Sequence, residues 1–333
     1  MATRGYSGYK GRKSPWKIVA AILLVLVILA AAGVLVLQRY LVYDASGTPH
    51  LRLPGQEEIK TPSSSGGASS SGDLGPVDVT IDLPERQSVL GYLLTAPNAD
   101  LTPYLAPDGD LNAVAVTLKG ADGQLRTDWQ EDETLKSVLS DESRHTIARI
   151  SCFLDGANAR SQVKELGLEN TGGYIFYDAT NRNWLDPGKP AAREFLLDLI
   201  RQAAEAGFDE ILLTEVFYPT EGKLDKIAYS ADRTESLTLF LTEAKGLLAD
   251  YPGVTLSVAV TDTLLLDGED ETSGQSLSGF AALADAIYAL CEGGDYEAAK
   301  AAVAEAAGGK TTAFVALFDG VGYPPEEYLI PEA

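Results

Sequence analysis

The sequence predicts an α/β protein: a (β/α)8 TIM-like barrel preceded by a single transmembrane helix and a flexible stalk. Seven short apolar runs rich in β-branched residues recur after residue 78, and helical patterns separate several of them. Strands that alternate with helices form a parallel sheet, and a domain as long as residues 78–333 fits one barrel. No Gly-rich phosphate loop follows the first run, which argues against a doubly wound nucleotide-binding fold.

The N-terminal region predicts a membrane anchor. Residues 18–37 are an unbroken apolar run without a charged side chain, and about 20 such residues span a bilayer as a helix. Residues 1–17 form a basic tail without acidic residues, so we expect the N-terminus in the cytoplasm. A cleaved signal peptide is the alternative, because three alanines at 30–32 could mimic a cleavage site, but signal peptides have shorter apolar segments. We predict an uncleaved single-pass cell-membrane protein whose C-terminal domain is extracytoplasmic.

Composition narrows the possible partners. Residues 38–77 contain the run SSSGGASSSG at 63–72, which is typical of a flexible stalk. The chain has 26 Lys and Arg against 48 Asp and Glu, and its net charge of −22 repels nucleic acid, so we exclude a nucleic-acid partner. Two cysteines cannot form a disulfide framework, and we predict two buried thiols, Cys152 and Cys291. The two histidines are not spaced as ligands, and we expect no metal and no cofactor.

The strands and helices of the barrel domain can be assigned in order. Predicted strands lie at 88–94, 113–118, 147–154, 210–216, 255–261, 286–290 and 313–318, and predicted helices lie at 190–206, 234–250 and 296–307. The first of these helices is the best defined, because it has one apolar face, Pro190 at its start and Gly207 just beyond its end. Active sites of such barrels lie at the C-terminal ends of the strands. Polar residues at strand ends are therefore the site candidates.

Four stretches carry a resemblance to a known family. Residues 112–123 read NAVAVTLKGADG, residues 147–155 read IARISCFLD, residues 184–187 read WLDP and residues 207–219 read GFDEILLTEVFYP. Together they resemble the glycoside hydrolase-like barrel domains of bacterial envelope proteins, a family similar to the α-amylase-like barrels. The resemblance implies a carbohydrate partner, an envelope or extracellular glycan.

The chain also departs from the family pattern. Thr117 stands where the family's second strand has Asp, Thr214 stands where the fourth strand ends in Asp, and Phe217 replaces a nearby basic residue. Threonine cannot act as a general acid near neutral pH or as an ionised nucleophile. Glycoside hydrolysis normally needs two carboxyl groups that flank the scissile bond. The resemblance therefore implies a degenerate active site with weak or lost hydrolase activity.

Three carboxylates are the candidate catalytic residues: Glu215, Asp155 and Asp319. Glu215 ends the fourth strand, but the alternation of side chains along a strand would turn it towards the helices if Thr214 points into the mouth. Asp155 ends the third strand, and capping a helix or turn is its alternative role. Asp319 ends the seventh strand and Asp262 the fifth, where capping is again the alternative.

The candidate substrate-binding residues are Lys119, Trp184, Tyr218, Asp262, Thr117 and Thr214. Lys119 could bind a sugar hydroxyl or an acidic group, whereas Arg149, placed early in its predicted strand, favours a structural ion pair. The aromatic residues, with Tyr229, could stack on sugar rings or pack in the interior. Three functions stay open: a glycan-acting enzyme, a non-catalytic glycan-binding module, and a structural or scaffold partner of an envelope complex.

Overall fold

The computed structural model describes residues 41–43, 49–51, 86, 88–104, 111–127, 129–291, 295–318 and 325–332. The chain divides into two compact units, Met1–Val79 and Thr80–Ala333. In the first unit, Leu41–Tyr43 pairs with Pro49–Leu51 as two antiparallel strands. The predicted anchor at 18–37 lies outside the described residues, as does most of the predicted stalk. None of the helices in the described part of the chain is long and apolar enough to cross a membrane.

Eight parallel strands of the second unit close into a barrel, which confirms the predicted α/β barrel class. The strands are β1 (Leu90–Leu94), β2 (Ala113–Lys119), β3 (His145–Ser151), β4 (Glu210–Thr214), β5 (Thr255–Ala259), β6 (Ala286–Leu290), β7 (Ala313–Leu317) and β8 (Tyr328–Pro331). Each strand pairs with the next, and β8 closes the barrel against β1. Strands β1 to β7 overlap the seven predicted runs, whereas β8 was not predicted.

Seven α-helices of the described residues connect these strands. They are α1 (Glu133–Leu139), α2 (Gly156–Ser161), α3 (Pro190–Ala206), α4 (Arg233–Leu248), α5 (Asp262–Asp267), α6 (Leu277–Leu283) and α7 (Tyr296–Ala306). Helix α3 begins and ends where the sequence predicts. It ends because Gly207 adopts a left-handed conformation with φ of 96°, and its N–H donates to the carbonyls of Ala203 and Ala204.

Apolar side chains pack in two layers, one on each side of the strands. Inside the barrel lie side chains such as Leu93, Ile147 and Leu212. The outer layer, with Ile200 and Phe240 among its members, joins the strands to the helices. This alternation of side chains between the two faces fixes which strand residues reach the interior of the barrel.

Buried and half-buried polar groups lie at the N-terminal end of the barrel. Glu210 and His145 are the first residues of β4 and β3, and Nε2 of His145 lies 2.7 Å from Oε2 of Glu210. The hydroxyl of Tyr288 donates to Oε1 of Glu210 at 2.7 Å. Arg86 pairs with Glu327 at 2.6 Å. Although burial opposes it, the hydrogen bond and charge of His145, with the charge of Arg86, hold the pKa of Glu210 below its usual value.

Candidate active site at the barrel mouth

The C-terminal ends of β2, β3 and β4 form the polar part of the barrel mouth. They carry Thr117, Arg149 and Thr214, which lie on three adjacent strands. The pairing of β2 with β3 shifts by one residue between Thr117 and Lys119, as in a β-bulge. Bulges beside active sites redirect side chains and end strand pairing. This end of the barrel is where the chemistry of such a fold is expected.

Glu215 follows β4 with a left-handed backbone, its φ being 52°. This conformation is uncommon for a residue with a Cβ and costs about 1–3 kcal/mol. Because the strand has already ended, Glu215 does not turn towards the helices as strict alternation predicts. Its Oε2 accepts a hydrogen bond from the hydroxyl of Thr214, and its Oε1 lies 3.5 Å from the guanidinium of Arg149. Thr214 and Glu215 therefore both belong to the mouth.

Arg149 connects the polar groups of the mouth. It is the fifth of seven residues in β3, so its predicted position early in the strand is wrong. Its guanidinium donates to the hydroxyl of Thr117 at 3.2 Å and to the carbonyl of Thr95 at 3.4 Å. The ion pair predicted for Arg149 is present, and its partner is Glu215. Arg149 thus contacts residues at the ends of three strands.

Thr117 and Thr214, which the resemblance predicts at two aspartate positions, both donate their hydroxyl hydrogens within the protein. Thr117 is fully buried and donates to the carbonyl of Leu94 at 2.7 Å. Thr214 is 5% exposed and donates to Glu215. A hydroxyl that already donates to a protein acceptor can still accept a hydrogen bond. It carries no charge for a transition state.

Lys119 and Asp155 form an ion pair in the protein interior. Their side chains are both fully buried, with Nζ 3.0 Å from Oδ2. Nζ also donates to the carbonyl of Ser151 at 2.8 Å. The Asp155 carboxylate accepts from both the backbone and the side-chain nitrogen of Asn158 at the start of α2, at 2.8 and 2.9 Å. Asp155 therefore has the capping role considered as its alternative, and neither charge faces a ligand here.

The predicted stacking aromatics are also buried. Trp184 is 1% exposed, and its indole N–H donates to Oδ2 of Asp178 at 3.1 Å. Phe217 packs against Trp184, with the two ring centroids 5.4 Å apart. Tyr218 is fully buried with its ring 5.4 Å from that of Tyr229. A sugar cannot stack on Trp184 or Tyr218 in this arrangement, because protein covers their rings.

The remaining candidates lie beyond the strand ends. Asp262 is exposed as the first residue of α5, and Thr261 rather than Asp262 caps that helix, accepting from the N–H of Leu264 at 3.2 Å. Asp319 lies outside the described residues.

The two cysteines differ in their burial. Cys152 is fully buried, as predicted, and burial raises the pKa of its thiol. Cys291 is partly exposed rather than buried.

Asp186 lies within the stretch WLDP and is a buried carboxyl that the sequence does not single out as a site residue. Its carboxyl is fully buried, and burial raises its pKa. The hydroxyl of Tyr218 donates to Oδ1 at 3.4 Å, and the N–H of Gly188 donates to the same atom at 3.0 Å. Across the described ranges, no cluster of three or more His, Cys, Asp or Glu side chains could hold a metal ion.

Three solved structures illustrate what the chain resembles. A hypothetical protein from Ruminiclostridium thermocellum is 26% identical, with 51% of this chain and 96% of that one covered and a TM-score of 0.42. The PgaB (BpsB) glycoside hydrolase domain from Bordetella bronchiseptica is 14% identical, with 62% and 74% covered and a TM-score of 0.46. The glycoside hydrolase domain of PelA from Pseudomonas aeruginosa is 16% identical, with 69% and 83% covered and a TM-score of 0.43.

The sequence also matches a family model. A search of curated proteins finds no match to this sequence. Residues 104–307 match the model of the family described as "Putative glycosyl hydrolase domain", and this stretch is more than half of the chain. It includes strands β2 to β6 and the polar side of the mouth. The chain therefore belongs to this glycosyl hydrolase domain family.

Proposed function

We propose that the barrel mouth binds a cell-envelope or extracellular glycan and has weak or no hydrolase activity. One observation carries the proposal. Of the candidate catalytic carboxylates that the structure describes, Asp155 and Glu215, only Glu215 is partly exposed in the mouth, where it lies beside Arg149. The family membership supports a carbohydrate ligand.

The chemistry of glycoside hydrolysis explains why this arrangement favours binding. Hydrolysis needs two carboxyl groups, about 5–5.5 Å apart in retaining enzymes and about 6.5–9.5 Å apart in inverting ones. Thr117 and Thr214 contribute neutral hydroxyls at two strand ends where the resemblance implies aspartates. Glu215 can still accept hydrogen bonds from sugar hydroxyls, and Arg149 can still donate to them. A positioned acid or base contributes about 10²–10⁴ in rate, so losing two such groups removes most catalysis.

The test uses the full-length chain, purified in detergent, on a glycan array and then in a reducing-sugar assay. We expect binding to at least one glycan without release of reducing ends above the uncatalysed rate. Glu215→Ala should weaken that binding and leave the melting temperature within a few degrees. Turnover by the wild-type chain that Glu215→Ala abolishes, with the fold intact, would contradict the loss of activity.

We also propose that the chain is a single-pass membrane protein with its barrel outside the cytoplasm. The apolar run at 18–37 and the basic residues before it support this topology. Protease added to intact spheroplasts should remove the barrel and leave a membrane-bound N-terminal fragment. A protected barrel with a cleaved N-terminus would reverse the proposed orientation.

A further inference from the structure

Two loops on the mouth side of the barrel line an open groove of about 630 Å³. One loop follows β3 and contributes residues between 170 and 181, and the other follows β4 and contributes residues between 222 and 226. Loops that follow the C-terminal ends of parallel strands lie on the face where barrels bind ligands. The groove is within the usual size of a small-ligand site.

Hydrogen bonds hold the two loops together and fix the groove. The N–H of Thr171 donates to the carbonyl of Lys226 at 2.8 Å, and the N–H of Ala228 donates to the carbonyl of Glu169 at 2.8 Å. The carboxylate of Asp178 accepts from both the backbone and the side chain of Arg182, at 2.9 and 2.8 Å. A groove with such a frame loses little conformational entropy when it binds a ligand.

The lining combines an aromatic surface with polar groups. Tyr177 is 49% exposed and supplies the aromatic face, whereas Phe176, which also lines the groove, is 3% exposed. Two amide side chains, Asn170 and Asn181, also line the groove. Aromatic rings with nearby amides suit a sugar, because a pyranose ring has an apolar face for stacking and hydroxyls at its edges.

The charged side chains of the groove indicate whether a neutral or an acidic sugar fits it. Its only carboxylate among the described lining residues, Asp178, is 5% exposed and already accepts several hydrogen bonds. Lys226 pairs with the neighbouring Asp225 at 2.8 Å. Lys223 has no carboxylate partner within 4.0 Å among the described residues. The groove therefore presents the Lys223 ammonium group, which interacts with the charge of Asp225 at longer range but forms no ion pair within 4.0 Å with a described carboxylate, on a chain whose net charge is −22.

We propose that this groove binds an acidic glycan strand, with the ring of a uronic acid stacked on Tyr177 and its carboxylate paired with Lys223. Asn181 would then bind a sugar hydroxyl, whereas the Asn170 oxygen already accepts from the N–H groups of Gly172 and Tyr174 and shapes the wall. The proposal rests on the proposed function only in taking the ligand to be a glycan. It assigns a second binding site, formed by residues other than Glu215 and Arg149.

The test measures binding of uronate oligosaccharides to the full-length chain in detergent. The probes are oligogalacturonate, oligomannuronate and oligoguluronate, each with a counterpart whose carboxyls are reduced to hydroxymethyl groups. All variants carry Glu215→Gln, so that hydrolysis at the mouth cannot consume the probe. We expect at least one uronate to bind, its reduced counterpart to bind about tenfold more weakly, and added salt to reduce the difference.

The variants separate the groove from the mouth. Tyr177→Ala and Lys223→Ala should each weaken binding about tenfold, whereas Tyr177→Phe should retain it because the ring remains. Tyr174→Ala is the matched control, since Tyr174 is 74% exposed in the same loop but does not line the groove. Equal binding of the reduced probes, no binding of any uronate, or an equal loss with Tyr174→Ala would overturn the groove proposal. If Arg149→Ala abolishes uronate binding while Tyr177→Ala does not, the groove proposal fails and the mouth proposal stands.

Discussion

One glutamate lies at each end of strand β4: Glu210 begins the strand and Glu215 directly follows it. Their surroundings differ. Glu210, the first residue of the strand, is fully buried, contacts His145 and accepts a hydrogen bond from Tyr288. Glu215, just after the strand, has a side chain that is 21% exposed and a cationic partner 3.5 Å away. Glu210 therefore lies in a polar network that is closed to solvent, whereas Glu215 lies in a network that is open to solvent at the barrel mouth.

The difference separates stability from function. A buried charge whose partners are all protein groups has no atom free to contact a ligand. Removing it leaves those partners buried with neither a hydrogen-bond partner nor access to solvent. An exposed charge with a distant partner contributes little to folding. A strained backbone that brings such a charge into the mouth is typical of functional sites. Glu210 is therefore a structural residue, and Glu215 is available to a ligand.

The largest effect is expected from Glu210→Ala. The substitution leaves the ring of His145 and the hydroxyl of Tyr288 buried without their partner, so the free energy of unfolding should fall by about 3–5 kcal/mol. Chemical denaturation of Glu210→Ala and of Glu215→Ala measures the difference between their free energies of unfolding. Glu215→Ala, directly after the same strand, is the matched control and should change this free energy by less than about 1 kcal/mol. Similar losses in both variants would contradict the assignment of separate roles.

A smaller loss is expected when the buried pair beside the mouth is broken. Lys119→Met removes the cation from Asp155, but the carboxylate keeps two hydrogen bonds from Asn158. We therefore expect a loss of about 2–3 kcal/mol in the free energy of unfolding. In a double-mutant cycle, Asp155→Asn should cost less in the Lys119→Met background than in the wild type. Additive losses would show that the two residues do not stabilise one another.

Acidification should weaken the polar network around Glu210. The pKa of Glu210 is below its usual value in the folded protein, so its contribution to stability is complete above the unfolded pKa of about 4.3. That contribution is lost as the pH falls through the folded pKa. Denaturation between pH 3 and 6 should give a steeper loss of stability for the wild type than for Glu210→Gln. Parallel curves would mean that Glu210 does not carry this dependence.

The barrel was predictable because its signals are local. Pro190 and Gly207 mark the two ends of α3, and the buried strands are apolar runs of ordinary length. Strand β8 was missed because Tyr328–Pro331 is only four residues long and ends in proline, which is a weak strand signal. Its pairing with β1 and β7 is a long-range contact that no local pattern contains.

The site was less predictable because its geometry depends on contacts distant in sequence. Alternation cannot anticipate the left-handed backbone of Glu215, since glutamate rarely adopts it. The burial of Trp184 depends on Asp178, which accepts the indole hydrogen bond. Lys119 and Asp155 are both strand-end residues in the sequence, but their pairing removes both charges from the surface.

The smallest effect on stability is expected from Arg149→Met, which sharpens the contrast at the open end of the barrel. The ion pair with Glu215 is long and both side chains are partly exposed, so the free energy of unfolding should change by less than about 1 kcal/mol. Glycan binding at the mouth should nevertheless fall about tenfold, because the guanidinium can donate to sugar hydroxyls. Arg201→Met is the matched control, since Arg201 forms an exposed ion pair with Asp198 on α3, outside the mouth. A large loss of stability with unchanged binding would instead make Arg149 a structural residue like Glu210.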